Sequence, residues 1–191
     1  GFPKKGRESV GVARQYCGQV GKQDNCRVAV SLSMTTEKAS MPVAFQLYLP
    51  EFWVQDRERR KKTGVPESIQ FQTKPEIALE QIRRARERGL PQGVVLADAG
   101  YGTDTKFRSE LTKLEITYVV GVQSTTTVWK PGEEPKPAPA RKGRTGRPRK
   151  LLQRDAKCQP VSVKELALSL PAETWKKIKL AETTPRRTEL D

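Results

Sequence analysis

Histidine is absent from these 191 residues, and cysteine occurs only three times, as Cys17, Cys26 and Cys158. Without an imidazole, neither a Ser-His-Asp nor a Cys-His catalytic pair can be assembled from within the segment. A tetrahedral zinc site takes about four thiolate or imidazole ligands, and three scattered thiols with no C-x-x-C pair supply too few. The odd count and wide spacing also argue against a disulfide framework and for a reducing, cytoplasmic setting. No apolar run approaches the ~18 residues that a membrane-spanning helix needs. Neither a signal peptide nor a strongly apolar amphipathic helix carrying the basic residues is recognisable. Chemistry in this chain therefore rests on carboxylates, lysines or a hard metal ion.

Positive charge is what the chain has in excess. Thirty-six basic side chains stand against 22 acidic ones, a net charge of +14. That balance predicts a polyanionic partner, and nucleic acid is the usual one. The length suits one domain, or one domain with an insertion. The chain opens at Gly1 without a methionine and stops in Arg186-Arg187-Thr188-Glu189-Leu190-Asp191 with no closing element, so it reads as a piece of a longer polypeptide.

Hydrophobic spacing sets the expected order of elements. Arg27 to Met34 and Pro42 to Leu49 alternate with period two and read as strands, joined closely enough for an antiparallel hairpin. Ser9 to Tyr16 reads as a strand or an extended arm. Trp53 to Gly64, with Arg57-Glu58-Arg59-Arg60-Lys61-Lys62, reads as a solvated basic segment. A helix is expected from Pro75, because Thr73 and Glu76 have capping-box spacing and proline suits the first turn. Its apolar stripe is Ala78, Ile82 and Ala85, with Leu79 alongside, and Gly89 supplies the stop. A second helix is expected over about Thr103 to Leu114 and a buried strand over Thr117 to Val122. Pro131 to Lys150 is rich in proline and glycine and poor in apolar residues, so it builds no core. Val161 to Lys164 and Trp175 to Leu180 read as short strands. The expected division is 1–123 for the core, 124–150 for a basic linker and 151–191 for an appended β element.

Between the two helices lies Val94-Val95-Leu96-Ala97-Asp98-Ala99-Gly100-Tyr101-Gly102. Four apolar residues ending in one aspartate read as a buried parallel strand. Asp98 then stands at its carboxyl end, where open α/β sheets keep their chemistry. The alternative is that it only caps the helix or fixes the turn that follows. Asp24, Asp104 and Glu110 read as loop or solvent-facing helical acids.

Several uncommon words are shared with a known family. Gly1-Phe2-Pro3-Lys4-Lys5-Gly6, Gly11-Val12-Ala13-Arg14-Gln15-Tyr16-Cys17-Gly18-Gln19 and Gly21-Lys22-Gln23-Asp24-Asn25-Cys26 resemble the DDE transposases of bacterial insertion sequences. So do Phe71-Gln72-Thr73-Lys74-Pro75, Leu96-Ala97-Asp98-Ala99-Gly100-Tyr101-Gly102 and Val161-Ser162-Val163-Lys164-Glu165-Leu166. The resemblance covers essentially the whole chain. It implies an α/β, ribonuclease-H-like mixed sheet, here without its first strand, followed by the basic linker and part of a small inserted β element. It implies three carboxylates holding two Mg²⁺ ions, with Mn²⁺ as a substitute, for cleavage and transfer of DNA strands. Asp98 matches the second carboxylate, hence both a catalytic and a metal-ligating position. By the same resemblance the first aspartate belongs just ahead of Gly1 and the glutamate beyond Asp191, so the piece alone is expected to be inactive. Element-end and target DNA are the implied partners, with a homodimer pairing two ends and a bacterial cytoplasmic, nucleoid-associated location.

Arg144-Thr145-Gly146-Arg147-Pro148-Arg149-Lys150 contains a Gly-Arg-Pro core similar to AT-hook peptides, which lie in a narrow minor groove. Arg144, Arg147, Arg149 and Lys150 are therefore the candidate DNA-binding residues, as groove readers or as phosphate contacts in a basic linker. Trp129 and Trp175 flank this segment and read either as core packing or as stacking partners for a displaced base. The rival readings of the chain are a non-catalytic DNA-binding module from a decayed relative and a structural RNA-binding protein.

Overall fold

A computed structural model describes residues 1–138, 152, 154 and 158–176. In chain order the elements are β1 (Phe2–Pro3), β2 (Ala13–Cys17), β3 (Lys22–Arg27), β4 (Ala29–Thr35), β5 (Ser40–Leu47), α1 (Glu51–Gln55), α2 (Arg57–Thr63), α3 (Lys74–Glu87), β6 (Val95–Ala97), α4 (Ala99–Gly102), α5 (Thr105–Lys113), β7 (Tyr118–Val120), β8 (Thr127–Val128), β9 (Val161–Ser162) and α6 (Val163–Ser169). They fall into two compact units, Gly1–Val122 and Gln123–Asp191.

The first unit is a mixed α/β assembly of small sheets. β3 runs between β1 and β2, antiparallel to both. After Val28 the chain continues as β4, which forms the expected antiparallel hairpin with β5, its register shifting between Leu32 and Ser33. β6 and β7 pair in parallel, Val95 opposite Tyr118 and Ala97 opposite Val120.

Helix α3 forms for the reasons its sequence gives. The Thr73 hydroxyl accepts from Glu76 N–H, the Glu76 carboxylate accepts from Thr73 N–H, and proline occupies the first turn. Its end is a Schellman turn: Gly89, at φ +71°, donates to Arg86 O and Leu90 donates to Ala85 O. Leu79 and Ile82 of this helix join Phe107 and Leu111 of α5 and Ile116 in one buried cluster. Leu32 of β4 and Val95 and Ala97 of β6 pack on that cluster, so both strand pairs lie against it. Among the described residues β4 is paired only with β5 and β6 only with β7. Between them lies a groove of about 640 Å³, walled by Ser31 to Thr35 and by Val94 to Leu96, with Ile82 and Ala85 of α3 along it.

Four expectations need correction. The β6 strand is not buried on both faces: Val95 and Ala97 face the helices, but Leu96 is 74% exposed, as is Val119 of β7 at 62%. A two-stranded sheet with helices on one side covers only that side. Residues 51–63 are not merely a solvated segment but two short helices broken at Asp56, which caps the second one. The helix expected from Thr103 begins earlier as the short α4 and restarts at Thr105, because Asp104 caps the new turn through Phe107 N–H. Val161 to Lys164 is a strand for only two residues. Ser162 and Glu165 form a capping box there, and α6 follows.

Candidate functional site

Asp98 is solvent-exposed and follows the last residue of β6. Two ties define its surroundings. Its own carbonyl accepts from Tyr101 N–H at 3.1 Å and Gly102 N–H at 2.9 Å, which closes the α4 turn. Its side-chain Oδ1 accepts from Gly100 N–H at 2.8 Å. Asp98 thus caps the turn through Oδ1, and its carboxylate lies exposed at the strand end. Tyr101 packs near it, with its ring centroid 5.8 Å from that of Phe107. Burial raises the Tyr101 phenol above its usual range, and the negative charge of Asp98 adds to the rise. The groove between β4 and β6 reaches Leu96 but is not lined by Asp98.

The other acids are occupied elsewhere. Asp24 lies in β3 and accepts from the Asn25 N–H. Asp104 caps α5. Glu110 pairs with Lys113 at 2.8 Å and Arg83 at 2.6 Å, contacts that hold its carboxyl below the ordinary value, the Lys113 bond foremost. Among the described residues, no three His, Cys, Asp or Glu side chains gather closely enough to hold a metal ion.

The basic cluster at 57–62 is only partly free to meet a ligand. The Arg59 guanidinium lies 3.7 Å from the Trp53 ring centroid and donates to Arg7 O. Arg60 donates to the carbonyls of Val54, Pro66 and Ile69, fixing the loop after α2. Lys62 pairs with Glu8 at 3.0 Å, with both side chains largely exposed. Among the described residues no hydrogen-bonding or ionic partner lies against the exposed side chain of Arg57 or Lys61, so within this cluster these two cations are left to face solvent.

Arg144, Arg147, Arg149 and Lys150 lie outside the described residues. In the second unit, Trp129 is half-buried, whereas Trp175 follows a 3₁₀ turn over Ala172–Thr174 and is 59% exposed. Most of the strand expected over Trp175 to Leu180 also lies outside the described residues.

Two residues beside the site were missed from the sequence. Gly102 is buried and backs directly onto Gly121, the residue after β7. The signal was present in Val119-Val120-Gly121-Val122, since a glycine inside a strand pattern marks a close backbone approach.

The chain is thus a basic α/β protein without histidine that carries an exposed acid, Asp98, at the end of a parallel strand. The family is defined by sequence: the model of the DDE superfamily endonucleases matches residues 1–187, and the chain belongs to that family. It is also 36% identical over 125 residues to a protein of Microchaete diplosiphon described as "Probable transposase for insertion sequence element IS701". That alignment takes in 65% of this chain and 30% of the relative, so the chain spans under a third of the relative's length. No solved structure matches it.

Proposed function

We propose that this chain is the part of an insertion-sequence transposase that contributes Asp98, as the second of three carboxylates, to a centre for cleaving and joining DNA strands. The observation that carries the reading is the place of Asp98, at the carboxyl end of a parallel strand and on a turn that leaves it open to solvent. The family match along nearly the whole chain and the relative's description as a probable transposase support it.

The ribonuclease-H-like reading of the core rests on element order: an antiparallel hairpin, then helix, parallel strand, helix and parallel strand. The edges of β4 and β6, unpaired among the described residues and flanking one groove over α3, support a further strand between them in the whole protein. The proposed division remains 1–123, 124–150 and 151–191, with the last segment part of an inserted element.

Family resemblance brings with it two divalent ions, Mg²⁺ or Mn²⁺, held by hard oxygen ligands. The described residues do not fit such a centre by themselves, because no three His, Cys, Asp or Glu side chains among them gather closely enough to hold a metal ion. The remaining ligands belong to other parts of the whole protein, and the piece alone is inactive. Its own contribution is to aim Asp98 and to bind DNA. Arg144, Arg147, Arg149 and Lys150, with Arg57 and Lys61, are the proposed phosphate or groove contacts, and the active form is a dimer holding two element ends in the bacterial cytoplasm.

The experiment is strand cleavage of labelled element-end DNA by the full reading frame and its Asp98→Ala variant, with Mg²⁺ or Mn²⁺ added. Loss of cleavage with DNA binding retained is expected. Equal cleavage by both proteins refutes the role of Asp98. No cleavage by either, with binding intact, favours a non-catalytic DNA-binding module.

A further inference from the structure

The turn from Asp98 to Gly102 is pressed against the end of β7 at two points. The first is Gly102, whose N–H donates to Asp98 O. A Cβ placed on Gly102 would overlap the carbonyl oxygen of Gly121 and lie 2.9 Å from Val120 Cβ and 3.0 Å from Gly121 C. The second is Gly121, whose own N–H donates to Ala97 O at 2.9 Å, extending the β6–β7 ladder by one bond. A Cβ on Gly121 would lie 2.9 Å from Ala99 N and 3.3 Å from Asp98 C. One glycine peptide after β7 therefore meets both the first and the last residue of α4.

Neither glycine adopts the left-handed backbone; among the described residues the positive-φ glycines are Gly11, Gly21, Gly64, Gly89 and Gly132. Conformational freedom is thus not what these two positions use. They use the missing side chain, which lets two backbones touch.

We propose that Gly102 and Gly121 are positioning residues for the Asp98 carboxylate: their backbone-to-backbone contact seats the α4 turn so that Gly100 N–H meets Asp98 Oδ1. The proposal rests on the reading of Asp98 as a functional acid, and its logic is geometric. The direction of the carboxylate is fixed by the Gly100 N–H bond at 2.8 Å. Gly100 sits in the middle of the turn whose ends the clasp holds. A methyl group at Gly102 has backbone, not a flexible side chain, in its way, so the turn itself must lift from β7. Lifting it carries Gly100 N–H away from Oδ1 and frees the carboxylate to rotate. A methyl at Gly121 meets its obstruction at a longer distance and displaces the turn less.

The test is spectroscopic and needs no ligand. The ¹⁵N-labelled 191-residue chain is compared with four variants at one fixed pH, and the amide proton shift of Gly100 is followed. Asp98→Ala removes the charged acceptor and sets the size of the upfield displacement. Gly102→Ala is expected to displace Gly100 in the same direction by a comparable amount, and Gly121→Ala by less. Leu111→Ala, which cuts a fully buried side chain from α5, lowers the melting temperature but leaves the Gly100 shift in place. A merely structural role for the glycines would make them behave like Leu111. Gly100 unmoved in a folded Gly102→Ala overturns the proposal; if that variant does not fold, Gly121→Ala decides by the same criterion. A Gly100 shift indifferent to Asp98→Ala also overturns it, because there would be no bond to hold. Retained DNA cleavage by Asp98→Ala in the full reading frame would instead end the functional reading of Asp98 and leave the spectroscopic result standing.

Discussion

The indole N–H of Trp53 donates to the carbonyl of Val12 across 41 residues of sequence, at 2.8 Å and buried from solvent. With Leu49 these two residues form a second small core under α1, on which Val10, Val54 and Val65 pack. The bond ties the segment before β2 to the helical stretch after β5. Trp53→Phe keeps most of the ring but leaves the Val12 carbonyl buried without its donor, which should cost about 1–3 kcal/mol. Trp53→Ala should cost about 3–5 kcal/mol, since it empties the site as well. Urea unfolding checks both, and a Phe variant with the parent's midpoint would show that the bond contributes nothing.

Glu76 gives the chain an acid-dependent step. Its carboxyl is held at about 2, first by the Thr73 backbone N–H, then by the Lys106 ammonium and the Thr73 hydroxyl. The folded value is below the ordinary 4.5, so folding favours the ionised form. That contribution is complete above the ordinary value and disappears as pH falls from there towards about 2. Relative to Glu76→Ala, the parent should therefore melt higher at neutral pH, with the gap closing at the acid end. A gap that stays constant down to the acid end would remove Glu76 as its source.

Glu115 offers a stabilising substitution. It follows α5 at φ +56°, in the left-handed region, while Glu115 N–H donates to Thr112 O and Ile116 N–H to Leu111 O. This is the turn that ends α2 and α3, where Gly64 and Gly89 hold the corresponding place. A residue with a Cβ costs about 1 kcal/mol there. Glu115→Gly should raise stability by roughly 0.5–1 kcal/mol even though glycine is the more flexible residue when unfolded. A lower thermal midpoint would mean that entropy outweighs the relieved backbone.

Adjacent cations in α2 should part company. Arg60→Ala strips donors from the carbonyl of Val54 in α1 and from those of Pro66 and Ile69 in the loop after α2, and should lower the melting temperature. Lys61→Ala should leave the melting temperature alone, weaken DNA binding measured by fluorescence anisotropy, and lessen its salt dependence by about 0.9 in log–log slope for one lost phosphate contact. An unchanged salt slope would take Lys61 off the DNA surface.

Local chemistry made much of this fold legible. Thr73, Pro75, Glu76 and Gly89 announced α3 because caps and a stripe agree with one another there. The β4–β5 hairpin and the parallel β6–β7 pair followed from alternation and from a helix-length crossover. The failures came where signals competed. Ser162 and Glu165 carry the same capping box as Thr73 and Glu76, but Val161-Ser162-Val163 alternates like a strand and hid the helix behind it. The charge run at 57–62 concealed Asp56 and Gly64, an N-cap and a left-handed stop. Exposure of Leu96 was not legible at all, because an apolar run does not say how many of its faces are covered. For the candidate site, Asp98 stood out by its position, whereas Gly121 in its strand pattern signalled a close approach without naming Gly102, far off in sequence, as the partner.

The groove between β4 and β6 makes α3 the coupling rod of the first unit. No ladder joins the two strand pairs among the described residues, so what one pair feels reaches the other through this helix: the Gln81 amide, buried, donates to Val30 O at 3.0 Å, while Leu79 and Ile82 sit in the cluster that also takes Val95. The cooperativity of unfolding is therefore set by a helix rather than by a sheet. Loosening α3 would let the two strand pairs melt as separate bodies, and the unit would lose its single transition before it lost its strands.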